Sequence, residues 1–450
     1  MQIKTSLILL VLLIAFSPKG ISQQNENSPY SRYGIGRIHN DNFVFAQGFG
    51  NLGATNIDNF HVNLVNPASY GYLQATSFDL GLDINYNRLQ TKRDAANIYG
   101  GNLNYFSLAI PLINPIGDFI ERRERNLDIG LTFALKPHST VGYNVISTED
   151  HPDEGTIQRN YQGSGSTYKF ITGSGLRYKD FSVGINAGLL FGNIKYESIV
   201  SFPDNPFAYE NHFTESFSLN GFIYTVGLQY VIRFNKNAIK KDESIKPMNL
   251  VLGVYGNSQT NFKTAGDVIH AGILPTDNIN LGLARLDTLF LDEQREGKGV
   301  LPATIGGGLS YHHKQKFIVG INFQKTFWSQ YLNEGKLLEE DLRDAISLAA
   351  GIDYVPDYAS YTSFAKRMHY RAGFQYQTDS RSESGKQLNE AALSLGVGFP
   401  IIFQRKVSNI DLSLSFGQSI GERLISESYV KFGLGLTFND QDWLLKRRYY

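Results

Sequence analysis

Apolar and polar residues alternate with a period of two along most of this chain. Phe78, Leu80, Leu82, Ile84 and Tyr86 are separated by Asp79, Gly81, Asp83 and Asn85. Leu127, Ile129, Leu131, Phe133 and Leu135 alternate with Asp128, Gly130, Thr132 and Ala134. Phe222, Tyr224, Val226, Leu228, Tyr230, Ile232 and Phe234 form an unbroken apolar series at alternate positions. Phe317, Val319, Ile321 and Phe323 repeat the pattern, as do Leu412, Leu414 and Phe416. Successive side chains of a strand point to opposite faces, so each stretch has one apolar face and one polar or small one. Candidate strands lie at 77–89, 102–113, 126–148, 166–178, 181–197, 216–234, 248–262, 301–313, 316–330, 346–355, 367–377, 389–403, 409–418 and 427–438, fourteen in all. Lys179–Asp180 and His313–Lys316 read as tight turns, whereas 149–165, 198–215, 263–300 and 331–345 read as long loops. Short turns at one rim and long loops at the other are the pattern of transmembrane β-barrels, and an even strand count returns both ends to the periplasm. The count takes 126–148 as one strand bent at Pro137, because proline cannot donate to a ladder.

The apolar face admits two explanations: it meets a second sheet in a soluble sandwich, or lipid in a barrel. The N-terminus favours the barrel. Lys4, the apolar run Leu7–Phe16, and Gly20 and Ser22 before Gln23 read as a secretory signal peptide over 1–22. After it, the longest apolar runs, near 396–403, fall short of the ~20 residues that a helical span requires. With 30 Phe, 26 Tyr and 44 Gly, the chain is rich in aromatics and glycine, and it has no Cys for disulfides, thiolate metal sites or lipid attachment. Removing the leader takes away Lys4 and Lys19 and no acid, which leaves a formal charge of −2. That balance offers nucleic acid no electrostatic footprint.

About fifty residues before the first strand do not alternate. They carry Tyr30-Ser31-Arg32-Tyr33-Gly34-Ile35-Gly36, then Gly48-x-Gly50-x-x-Gly53, then Asn66-Pro67-Ala68-Ser69. Their mixture of apolar and small residues suits a plug packed in the lumen over a charged periplasmic arm. The resulting division is 1–22 signal peptide, 23–76 hatch or plug, 77–438 barrel and 439–450 periplasmic tail. Gly48-x-Gly50-x-x-Gly53 spells a dinucleotide fingerprint but lacks the strand–turn–helix context that phosphate binding needs, and flexible plug backbone explains it better. His312-His313 reads as part of a surface turn without a metal-ligand partner. Glu339-Glu340-Asp341 falls in a helical loop segment, 336–346, and reads as a solvated face. We therefore expect no catalytic residues, no metal, no cofactor and no enzyme activity.

The glycine-rich stretch followed by Asn66, Pro67 and Ala68 resembles the hatch of the FadL family of outer-membrane transporters (OmpP1/FadL/TodX type). Two further features carry the resemblance: Leu301-Pro302 opening a strand with Trp328-Ser329-Gln330 closing the next, and a 346–377 hairpin with Gly351, Tyr354, Arg371, Gly373 and Tyr376. Ser28-Pro29-Tyr30-Ser31-Arg32-Tyr33-Gly34 looks like Bacteroidetes representatives. The resemblance implies a plugged barrel in the outer membrane of a Gram-negative cell, with a hatch containing Gly48, Gly50, Gly53, Asn66, Pro67 and Ala68. It implies an inward kink of the third strand at Pro137 and Ser139, through which a hydrophobic, fatty-acid-like molecule leaves sideways. Surface capture would fall to apolar loop residues Phe202, Phe207, Phe213, Leu281, Leu283, Leu286, Leu289 and Phe290. The tail departs from the family pattern, and Trp443, Leu444, Lys446, Arg447 and Arg448 suit a rim anchor or a partner dock. Two readings stay open: an uptake channel for hydrophobic small molecules, or a non-transporting barrel subunit of a multi-protein complex for secretion or outer-membrane assembly. The expected partners are membrane lipids and lipopolysaccharide, a hydrophobic ligand and, on the second reading, other outer-membrane or periplasmic proteins.

Overall fold

The computed structural model describes residues 28–440 except 93, 114–125, 153–154, 206, 243–244, 274–285, 338–341, 384–385, 404–405 and 422–423. The expected signal peptide over 1–22, Leu281, Leu283 and the tail residues Trp443, Leu444, Lys446, Arg447 and Arg448 lie outside the described residues, as do Glu339, Glu340 and Asp341. A two-residue strand β1 (Arg37–Ile38) precedes a meander of β2 (Thr76–Gln90), β3 (Ala95–Pro111), β4 (Leu127–His151), β5 (Gly155–Tyr178), β6 (Phe181–Ser201) and β7 (Glu210–Arg233). β8 (Met248–Asn257) pairs with the lower half of β7 and β9 (Thr260–Ile273) with its upper half, so together they make one wall strand. β10 (Leu286–Leu301) and β11 (Thr304–His313) return beside them as another, interrupted at Pro302. β12 (Phe317–Thr326), the short β13 (Leu332–Asn333), β14 (Ala345–Tyr354), β15 (His369–Glu383), β16 (Lys386–Phe403), β17 (Lys406–Ile420) and β18 (Ser426–Asp440) follow. β18 pairs with β2 from Ser426–Gln90 to Asp440–Thr76 and closes the wall. The result is a closed antiparallel β-barrel of 14 strands.

The barrel is apolar outside and polar inside. On β2, Leu82 and Ile84 are 41% and 60% exposed, while the intervening Asp79 and Asp83 are 2% and 4% exposed. Leu189 faces Phe222, and Ile185 faces Val226, on the outer surface of β6 and β7. Water would not tolerate such a belt on a soluble protein; hydrocarbon requires it. No helix among the described residues is long and apolar enough to cross a membrane, and the strands make the crossing. The wall is that of a membrane-spanning β-barrel.

Three segments expected to be loops are strands. Residues 149–151 with 155–165, 198–201 with 210–215, and 263–273 with 286–300 continue the β4–β5, β6–β7 and β9–β10 ladders, which pair as far as His151–Gly155, Val200–Asn211 and Ile273–Leu286. A strand like β4, 25 residues long, extends roughly 80 Å along its own axis, far more than a tilted strand needs to cross a ~25 Å apolar band. Above the membrane both faces meet water, so the apolar alternation that marks a strand fades although the ladder continues. The expected 336–346 helix is absent from its described part, where Ala345 already opens β14. Trp328–Gln330 is a 3-10 turn beyond β12, not the end of that strand.

The wall is irregular at one place. β3 pairs with β4 only from Pro111–Gly130 to Phe106–Leu135. Just above, β3 skips a residue against β2 at Asn104, and β4 skips His138 against β5, between Pro137 and Ser139. Bulges of this kind bend a strand and end pairing. β1 then occupies the edge of β4 that β3 has left, with Arg37 opposite Thr140 and Ile38 opposite Ser139.

Candidate functional site

Residues 28–75 run inside the barrel, because they touch wall strands on every side. The 3-10 turn Pro67–Tyr72 packs on β4, β5, β6 and β7. The helical turn Val44–Gln47 packs on β16, β17 and β18. Only a segment in the lumen of a closed barrel can make both sets of contacts. Its apolar residues Phe43, Phe45, Val62, Leu64 and Tyr70 cluster with wall residues Tyr105, Ala109, Ala134 and Ile171, and the Phe43 and Tyr105 rings stack at 3.7 Å.

The glycines give this contact its closeness. A Cβ on Gly48 would lie 2.7 Å from the Cα of Gly396, and one on Gly50 would lie 2.6 Å from the Ala350 carbonyl oxygen. Gly50 also needs its φ of +75°. The fingerprint-like spacing therefore serves backbone-to-backbone approach against β14–β16, not flexibility as the sequence suggested. Gly53 abuts Val65 and Asn42 within the plug. Asn66 is fully buried and caps the Pro67–Tyr72 turn, its side chain accepting from Ala68 N at 3.2 Å and donating to Ala54 O at 2.8 Å. Ala68 is fully buried, and the Pro67 carbonyl fits against Gly175 and Gly184.

Two buried charge networks tie the plug to the wall. In the first, His61 stands 3.0 Å from Asp58 on one ring nitrogen and 3.1 Å from Asp411 of β17 on the other. Asp411 also pairs with Arg371 of β15, which reaches Asp353 of β14 at 3.1 Å. Burial pulls the His61 imidazole down, but Asp58 and Asp411 prevail and lift it to about 10. Burial likewise raises the Asp58 carboxyl, and His61 more than offsets it, holding it well below the usual carboxylate range. In the second network, Asp41 pairs with Lys169 of β5 and, at 3.2 Å, with Lys136 of β4. Burial raises the Asp41 carboxyl, and these two lysines reverse the shift and keep it ionised. His39 is driven the other way, to about 3, by burial and then by Lys431, Lys136 and Arg37.

The second network sits where β1 covers the bulged edge of β4. Ser139 donates to Ile35 O at 2.6 Å, His39 N donates to His138 O at 2.8 Å, and Ser28 N donates to Gly142 O at 3.2 Å. Pro137 itself abuts the bulge. Above the plug lies a cavity of about 480 Å³, bordered by charged residues of both signs, among them Arg37, Asp41, Lys169, Arg381, Glu390 and Lys431.

The described residues expected to capture ligand fall in two places. Phe213 and Phe290 flank His270 on adjacent strands β7, β9 and β10, with ring centroids 4.8 and 5.4 Å away. Phe207 is exposed in the β6–β7 connection, Phe202 is half-buried there, and Leu289 is exposed beside Phe290. Leu286 opens β10, and its side chain lies outside the description. The sequence reading missed both charge networks. Their signal was present, because Lys136, Arg371 and Asp411 fall on polar-face positions of membrane strands, where an ion needs a partner.

The sequence model of the BamG family matches residues 2–450. No curated protein matches the chain in sequence. Among solved structures, a FadL homologue of Pseudomonas aeruginosa is similar at a TM-score of 0.60 and 12% identity, covering 90% of this chain and 99% of that one. The Pseudomonas putida toluene transporter TodX is similar at 0.56 and 14% identity, covering 90% and 99%. The monoaromatic hydrocarbon channel CymD is similar at 0.55 and 15% identity, covering 88% and 97%. At these identities the likeness establishes a shared, FadL-like fold.

Proposed function

The chain belongs to the BamG family, and on that premise we propose that it is a plugged, FadL-like barrel acting as a subunit of a larger outer-membrane assembly. The observation that carries this reading is the lumen. The cavity over the plug is bordered by paired and unpaired charges, and the plug below it is fastened by buried ion pairs at Asp411 and at Lys136 and Lys169. A hydrophobic molecule entering there would have to strip water from these charges, and the apolar lining residues Leu64, Val65, Ile223, Leu301 and Trp328 would offset only part of that cost. What the barrel offers instead is a rigid wall and a tall extracellular sheet, β4–β7 with β9 and β10, whose Phe213–His270–Phe290 row is available to a protein surface.

One observation favours a second reading, uptake of hydrophobic small molecules with lateral exit. The β3–β4 ladder stops at Phe106–Leu135, next to Pro137 and Ser139, and plug residues lie across the gap. The FadL-like neighbours, among them a toluene transporter and a monoaromatic hydrocarbon channel, lend support of fold alone. On this reading the plug is a hatch and β1 its movable stopper.

Extraction from the native outer membrane in mild detergent, followed by native mass spectrometry, separates the two. A stoichiometric complex with other proteins supports the subunit reading. A lone barrel carrying small hydrophobic adducts overturns it in favour of uptake.

A further inference from the structure

The rim that holds both ends of the barrel is ringed by aromatics. Outward-facing neighbours pair across it: Tyr178 with Phe181, Phe181 with Tyr230, Phe317 with Tyr354, and Tyr354 with Tyr370. Such girdles mark the level where hydrocarbon gives way to headgroups. At this level the β14–β15 connection does not turn back at once, as the turns after Tyr178 and His313 do. It folds outward, and the short helix Phe364–Arg367 lies against the lipid-facing wall. The Phe364 ring stacks on Phe399 at 6.4 Å, and Phe399 shares its side of β16 with the exposed Leu393 and Leu395. Tyr370 Oη donates to Ala365 O at 3.1 Å and holds the helix down.

Positive charge gathers around this helix. Lys366 and Arg367 occupy its last turn. Val355 N donates to Lys316 O at 2.7 Å, which places the exposed β11–β12 turn with Lys314 and Lys316 alongside. Lys314 N donates to Pro247 O at 2.9 Å, which brings in Lys246, whose ammonium lies 4.4 Å from the centroid of the Tyr358 ring. Among the described residues, Lys314, Lys316, Lys366 and Arg367 have no ion-pair partner. Arg367 rests its guanidinium 5.3 Å over the Phe364 ring, and its Nε is buried without a hydrogen-bond partner. Asp357 lies within the patch, its carboxylate accepting from Ala359 N at 3.2 Å, and Asp242 precedes Lys246 by four positions.

We propose that this surface binds the headgroup of an anionic phospholipid in the inner leaflet of the outer membrane. The phosphate meets Arg367, Lys366 and the Lys314–Lys316 turn, and the acyl chains lie along Phe364, Phe399 and Leu395. A lipid fits better than a protein because the helix is fastened to the wall that faces hydrocarbon. Aromatic rings at the interface beside unpaired cations are what an anionic leaflet attracts.

The test uses the full-length barrel in detergent, titrated separately with dioleoylphosphatidylglycerol and dioleoylphosphatidylcholine, with retained lipids counted by native mass spectrometry. The wild type is expected to retain the anionic lipid preferentially. Combining Lys314→Gln, Lys316→Gln, Lys366→Gln and Arg367→Gln should weaken that retention about ten-fold while heat-modifiable gel migration confirms a folded barrel. If the fourfold variant does not fold, the pair Lys366→Gln and Arg367→Gln serves, with a loss of about three-fold expected. Equal retention of the two lipids by the wild type, or unchanged retention of the anionic lipid by a folded variant, overturns the proposal. A variant that keeps its lipid but loses a co-purifying periplasmic protein overturns it too, and makes the patch a protein dock.

Discussion

At the scale of single residues, the plug is held by a few groups that cannot be exchanged freely. Asp411 is 2% exposed and shared between His61 and Arg371. Removing one partner from such a buried network strands the others, typically at about 3–5 kcal/mol. Asp411→Asn should therefore lower the thermal midpoint and open the 40–60 stretch to limited proteolysis, with the outer wall still folded. A pH dependence follows from the same cluster. A histidine raised to about 10 contributes stability that is complete below its unfolded value of ~6.5 and is lost as pH climbs through about 10. Asp58, depressed, contributes above its unfolded value of ~3.9, and loses that contribution as pH falls below it. The stability gap between wild type and His61→Gln should be widest at about pH 4–6.5 and close above about pH 10, which thermal scans across that range would read directly. The individual residues were only partly legible in the sequence. Gly48 and Gly50 stood out, but their reason, contact with Gly396 and Ala350, depends on strands three hundred or more residues away.

At the scale of elements, two irregularities seat the N-terminal segment against the wall, and both lie on β4. Its bulge after Pro137 was foreshadowed, since a proline inside an alternating strand has to interrupt a ladder. The strand that covers the resulting edge was not. β1 is two residues long and carries no alternation, and it is a strand only because β3 leaves donors and acceptors on β4 unpaired. Gly36 makes the approach possible, with φ +104° and a site for Cβ only 2.7 Å from Thr140 O. Gly36→Val should unzip β1, seen as faster amide exchange at Thr140 and Gly142, with little change in the β4–β5 ladder. Unchanged protection there would mean that Asp41, Lys136 and Lys169 hold the segment without the ladder. The upper parts of β4–β7, β9 and β10 were read as loops for a related reason. Pattern reports burial or lipid contact, whereas pairing above the membrane needs neither.

At the scale of the whole molecule, the question is whether the extracellular sheet captures a ligand or meets a partner. Leu289→Asp combined with Phe290→Asp changes exposed side chains on β10, and the barrel should fold normally. If the chain is an assembly subunit with its contact on this face, the double variant should release the partner in native mass spectrometry. If it is an uptake channel, binding of a hydrophobic probe should weaken instead. No change in either would place the functional surface elsewhere.

By itself the sequence determined the barrel: its strand number, the order of its strands, the faces that meet lipid and the existence of a non-alternating segment ahead of it. Each of these follows from a period of two imposed by hydrocarbon on one side and a polar interior on the other, and that constraint is written residue by residue. The tertiary structure alone decided how the lumen is filled. The pairing of Asp58, His61, Asp411 and Arg371, the clamp of Asp41 by Lys136 and Lys169, and the seat of β1 on β4 join residues far apart in sequence. They exist because buried ions and open strand edges must find partners, and closing the wall is what brings those partners within reach.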